Sequence, residues 1–206
     1  MSPEPVASGP ALDDEDRARA GLYALLARLY YQGPDAEVLA LIAKAGAEIA
    51  PETESPFAAA LHALAAAASS ADPAAVRQEY DDLFVGTGRA EVSLYATYYL
   101  AESGREKILV ALRTELAAME LSRKETSREP EDHLAGLFDV MRHLVERDSL
   151  DAALQDQRRF FGQFIDPFYP AFCAAVEKSE RAEFYAGVAA LTLAFLDVET
   201  EAMKIL

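Results

Sequence analysis

The stretch EYDDLFVGTGRAE, residues 79–91, sets a short acidic and apolar segment directly against Gly86-Thr87-Gly88. If that segment were a strand, the glycines would belong to a phosphate-binding turn of an α/β protein; if it is a helix, they end it and the fold is helical. The spacing favours the helix. Val76, Tyr80, Leu83 and Phe84 recur at steps that share one helical face, while Asp81 and Asp82 point away from it. The phosphate-loop pattern G-x-x-x-x-G-K-[ST] is not met, and Glu91 stands where the dinucleotide fingerprint would need its third glycine. Gly86 is therefore expected to end a helix in a left-handed conformation and Gly88 to let the chain redirect.

Outward from this stretch the same periodicity continues. Leu22, Leu25, Leu26, Leu29 and Tyr30 fall on one face of a helix that starts near Asp13-Asp14-Glu15-Asp16 and stops at Gln32-Gly33-Pro34. Further helices are predicted at about 35–49, 56–69, 73–85, 104–121, 130–147, 151–165 and 180–204. Asp72-Pro73 reads as a cap followed by a first-turn proline, and Glu129-Pro130 as a second helix start. In the last helix Phe184, Val188, Leu191, Phe195 and Val198 form a stripe expected to be buried. No run of alternating β-branched residues argues for a strand. The expected architecture is all-α: one helical bundle over residues 13–206, after a disordered tail at 1–12, with a hinge at 121–129 in the polar LSRKETSRE connector.

Composition narrows the partners. Acidic residues outnumber basic ones 35 to 19, and the net charge of −16 argues against nucleic acid, whose binding draws on Lys and Arg. A cationic partner is favoured, the alternative being that the acidity serves solubility alone. The single Cys173 excludes an intrachain disulfide, and the N-terminus lacks the basic-then-apolar pattern of a secretory signal, so a cytoplasmic location is expected. The longest apolar run, Phe184 to Leu196, is shorter than the roughly 20 residues of a membrane span. His62, His133 and His143 sit in no metal-ligand spacing, and no nucleophile elbow is present, so neither a metal site nor an enzyme is expected.

One polar cluster stands out. In Glu129-Pro130-Glu131-Asp132-His133, three carboxylates and an imidazole crowd the first turn of a helix opened by the proline, whose apolar face is Leu134, Leu137, Phe138, Met141, Leu144 and Val145. The cluster is either a well-capped, solvated helix end or a charged surface beside an apolar one. LFVGTG at 83–88, SLYATYYL at 93–100 and EPEDHLAGLFDVM at 129–141, in that order, resemble the TorD/DmsD family of cytoplasmic chaperones for molybdenum-containing redox enzymes. The C-terminal FFGQFIDPFYPAFCAAV and EFYAGVAALTLAFL match in style, so the resemblance runs from about residue 15 to the end. Thr87, Ser93, Thr97 and Phe168 depart from the residues usual in the family at those places.

The resemblance implies an all-helical fold that binds the twin-arginine signal peptide and apoprotein of a molybdopterin-containing oxidoreductase until cofactor is inserted. It implies that the Glu131-Asp132-His133 turn supplies polar groups beside an apolar groove to which Leu137 contributes, with Leu83, Phe84, Gly86, Gly88 and Tyr95 as the facing wall. Asp132 and His133 are expected in the first turn of an exposed helix end. The chain itself is expected to bind no cofactor. The alternatives are a helical protein that binds or hydrolyses GTP, and a non-catalytic helical adaptor; the state is monomer or domain-swapped dimer.

Overall fold

The computed structural model describes residues 12–48, 54–86, 88–101, 104–122, 129–147 and 151–205. Its first helix, α1 (Asp14–Tyr31), begins where the Asp13 side chain accepts from the Asp16 N–H, and its acidic first turn suits the positive end of the helix dipole. The buried face is Ala20, Tyr23, Leu26, Leu29 and Tyr30, so Tyr23 joins the stripe while Leu22 and Leu25 are only partly covered. After α2 (Ala36–Glu48), Ser55 caps α3 (Pro56–Ser70), and Asp72 caps α4 (Pro73–Tyr80), each with proline in the first turn, as expected for Asp72-Pro73. Between α2 and α3, a Cβ on Gly46 would lie 2.1 Å from that of Ala65, so only glycine lets these helices meet there.

The remaining helices are α5 (Ala96–Leu100), α6 (Arg105–Ala118), α7 (Leu134–Glu146), α8 (Asp151–Phe164), α9 (Tyr169–Glu177) and α10 (Phe184–Ile205). Among the described residues there is no strand, only the isolated bridge between Tyr95 and His133, and the all-α expectation is met. No described helix is long and apolar enough to cross a membrane.

Packing follows the apolar stripes: α1 lies mainly on α7, α7 on α8, α2 on α3, and α10 on α3 and α9. The layers meet at Tyr30, whose ring contacts Phe84, Phe138, Phe172 and Tyr185. The carbonyls at the end of α1, which have no partner within the helix, accept from phenols: Tyr185 donates to Leu29 O at 2.9 Å and Tyr80 to Tyr31 O at 2.9 Å. The Glu79 carboxylate caps the start of α10, accepting from the N–H groups of Glu183, Phe184 and Tyr185.

The structure revises several expected elements. The helix expected over 73–85 is α-helical only to Tyr80 and continues as a π-helical turn, Asp81–Val85. The short α5 and α9 are additional, α10 starts at Phe184, and α7 starts at Leu134 rather than at Pro130. Val198 is 56% exposed, and Glu199 takes the buried position beside it. Its carboxylate accepts from Arg19 Nε at 2.8 Å, Arg19 Nη2 at 2.9 Å and the Tyr23 hydroxyl at 2.9 Å. Arg19 also donates to Asp16 and to Gln157, so one guanidinium joins α1, α8 and α10. Burial pulls the Arg19 pKa down, but its bonds to Glu199 and Asp16 more than offset this and raise it. Residues 1–11 of the expected tail and 123–128 of the expected hinge lie outside the described residues.

Candidate functional site

The glycine turn is built by the π-helical segment that precedes it. The Gly86 N–H donates to Asp81 O at 2.7 Å, and the N–H groups of Glu91 and Val92 both donate to Leu83 O at 3.0 Å. The loop therefore folds back onto the turn. A Cβ on Gly86 would lie 2.3 Å from Arg89 O, and its φ of 64° favours glycine in its own right. The helix does end at Gly86, but its ψ of 163° places it outside the left-handed helical region, which corrects the expected conformation. Leu83 and Phe84 point into the core, while Gly88 is exposed.

Beyond the loop, residues 94–97 cross the acidic cluster. Ala96 N–H donates to Asp132 O at 2.9 Å and Leu134 N–H to Leu94 O at 2.8 Å, the antiparallel bridge of Tyr95 and His133. Asp132 Oδ2 accepts from the Thr97 hydroxyl at 2.6 Å and from its N–H at 3.3 Å, so the carboxylate caps α5. His133 is the cap of α7, its Nδ1 accepting from Ala135 N–H at 3.2 Å, which leaves the ring proton on Nε2. Asp132 and His133 are 3% and 5% exposed, so the expected exposed helix end is instead a buried crossing. Burial lowers the His133 pKa, against the pull of the Glu129 and Asp132 carboxylates.

Beside the crossing lies a groove of about 770 Å³, bounded by α1, α7, the end of α6 and residues 129–131. Ala24, Ala27, Tyr31, Glu129, Glu131 and His133 are among the residues that line it. Of the nine residues expected to contact a peptide, Glu131 and His133 line this groove. Tyr95 stands beside it, its ring 5.4 Å from that of His133 and its hydroxyl donating to Glu129 Oε2 at 2.7 Å. Burial and this bond push the Tyr95 phenol up to about 12. Leu137, Leu83 and Phe84 are buried in the core, Asp132 is buried at the crossing, and neither Gly86 nor Gly88 lines the groove. The groove charges are mixed. Glu131 pairs with Arg113 at 3.0 Å, Arg28 with Asp35 at 3.1 Å, and Arg142 with Asp139 at 2.8 Å and Glu146 at 2.7 Å.

A family model described as nitrate reductase delta subunit matches residues 50–174, a span that holds the glycine turn, the 94–97 segment and the acidic crossing. The chain belongs to this family. It is the TorD/DmsD type of chaperone family that the spaced motifs resemble. The chain is 32% identical over 127 residues to the chaperone protein TorD of Vibrio cholerae, covering 57% of each chain. It is 26% identical over 132 residues to that of Aliivibrio fischeri, covering 60% of this chain and 61% of the relative. It thus spans about three-fifths of the length of these curated relatives, which are named as chaperones and not as enzymes.

The groove is composite with respect to this chaperone family match. Its acidic rim and α7 lie inside residues 50–174, whereas α1, with Arg28 and Tyr31, precedes that span. The sequence reading missed both α1 residues. The small residues Ala24 and Ala27 between the large residues of the stripe were the available signal, since they leave space beside a partner helix.

Proposed function

We propose that the chain is a cytoplasmic chaperone that receives the twin-arginine signal peptide and the apoprotein of a molybdopterin-containing oxidoreductase and holds them until the client's cofactor is inserted. The observation that carries this reading is the groove itself: Glu129 and Glu131 at its rim, beside the apolar flank of α1 and α7. A signal peptide offers two guanidinium groups next to an apolar segment, and carboxylates beside a hydrophobic groove are their complement. Family membership and the net charge of −16 favour the same class of ligand. Among the described residues of the glycine turn, the Gly86 N–H already donates to Asp81 O and so is not available to a phosphate, which weighs against the GTP alternative.

Calorimetric titration with synthetic client signal peptides tests the reading. Saturable binding that falls at least tenfold when both arginines become glutamine is the expected result. Equal affinity for both peptides, or none for either, would remove the signal peptide from the function and leave the helical adaptor.

A further inference from the structure

Tyr31, the last residue of α1, combines three properties that the packing of the bundle does not require together. The residue is 52% exposed at the groove, although a bulky aromatic is ordinarily covered where cover is available. Its backbone is held, because Tyr80 donates to its carbonyl at 2.9 Å, so the ring is presented from a fixed point. Its ring lies 6.4 Å from that of His133 at an interplanar angle of 78°, on a histidine that Tyr95 contacts at 5.4 Å. A partly exposed aromatic thus shares the groove with Glu129 and Glu131.

On the proposed signal-peptide reading, we infer that Tyr31 is the residue that distinguishes arginine from lysine: one guanidinium of the pair stacks on its ring while the Glu129 side accepts the N–H groups. A guanidinium is planar, weakly hydrated and able to stack and donate at once, whereas an ammonium is a compact, strongly hydrated point charge. Carboxylates alone would take either cation. The neighbouring Arg28 does not fill this place, since it is paired with Asp35. The protein already contains such a stack elsewhere, with the Arg105 guanidinium 5.4 Å from the centre of the Tyr98 ring.

The test is calorimetric titration of wild type, Tyr31→Phe, Tyr31→Ala and Tyr98→Ala with the twin-arginine peptide and with peptides in which either or both arginines are lysine. Tyr31→Phe and Tyr98→Ala should bind within about twofold of wild type, and Tyr31→Ala about tenfold more weakly, the scale of a partly desolvated cation–π contact. Lysine at one of the two positions should weaken wild type by a similar factor and Tyr31→Ala hardly at all. Tyr31→Ala binding like wild type, or losing affinity equally for arginine and lysine peptides, overturns the inference while leaving the signal-peptide reading in place. If wild type takes none of these peptides, both fall together. Thermal melts should give all variants midpoints near wild type, and collapse of Tyr31→Ala alone, with Tyr31→Phe insensitive to lysine, would also overturn it.

Discussion

Asp132 and His133 are neighbours that face different ways, one capping α5 and the other α7. Because Asp132 is buried and receives two hydrogen bonds from Thr97, Asp132→Asn should cost about 1–3 kcal/mol of folding stability, more than the roughly 1 kcal/mol or less expected of an exposed cap. Thr97→Val should cost a similar amount, and the double variant less than the sum, as urea denaturation of the three proteins would reveal. His133 gives a pH signature instead. Its folded pKa is lowered by burial, so below about 6.5 the unfolded chain takes up the proton more readily than the folded one. The stability it contributes is complete above that value and is lost as pH falls through the folded pKa. His133→Asn keeps a capping acceptor without titrating, so wild type should lose stability relative to the variant between pH 7.5 and 5.5; parallel urea midpoints would contradict this. The order of the motif was legible in the sequence. Its burial was not, because Thr97, which covers Asp132, is 35 positions away.

At the scale of the element, the long amphipathic helices were readable because their stripes repeat over several turns, as in α7 and α8. The π-helical turn was not, since residues 81–85 keep Leu83 and Phe84 facing inward whether the bonds run to the fourth or the fifth residue back. The five-residue α5 is too short to display a period, and its start is fixed by Asp132 from elsewhere in the chain. The turn makes a graded prediction. Gly86→Ala combines a positive φ with a Cβ 2.3 Å from a backbone oxygen, and should destabilise by more than about 2 kcal/mol; Gly88→Ala meets open space and should cost only the backbone strain, about 1–2 kcal/mol. Thermal melts of the two variants would test the ranking, and equal losses would mean that the loop yields around Gly86.

For the whole molecule, the ion pair of Arg19 with Glu199 ties together residues far apart in the chain. The apolar periodicity of α10 pointed to Val198 as the buried position, and hydropathy could not reveal that a carboxylate lies inside, because its partner lies on α1. Glu199→Gln leaves a largely covered guanidinium with Asp16 as its remaining carboxylate, so a loss of roughly 3 kcal/mol is expected. Replacing both Arg19 and Glu199 with methionine should lose less than that single change, because neither of these two covered charges is left facing an empty place, although Asp16 and the Tyr23 hydroxyl each lose a partner. Equilibrium unfolding of the single and double variants decides between a structural tie and a dispensable surface pair.

The two backbone bonds that join residues 94–96 to 132–134 also have a topological consequence. They staple the chain into a noncovalent ring that contains α5 and α6, and the acidic rim of the groove, Glu129 and Glu131, lies on that ring within three residues of the staple. The entropic cost of closing a flexible ring grows only with the logarithm of its length, by about 0.6 kcal/mol for each doubling. A change of length in the connections of the ring therefore costs little by closure alone, while the two backbone bonds keep the adjoining rim in register.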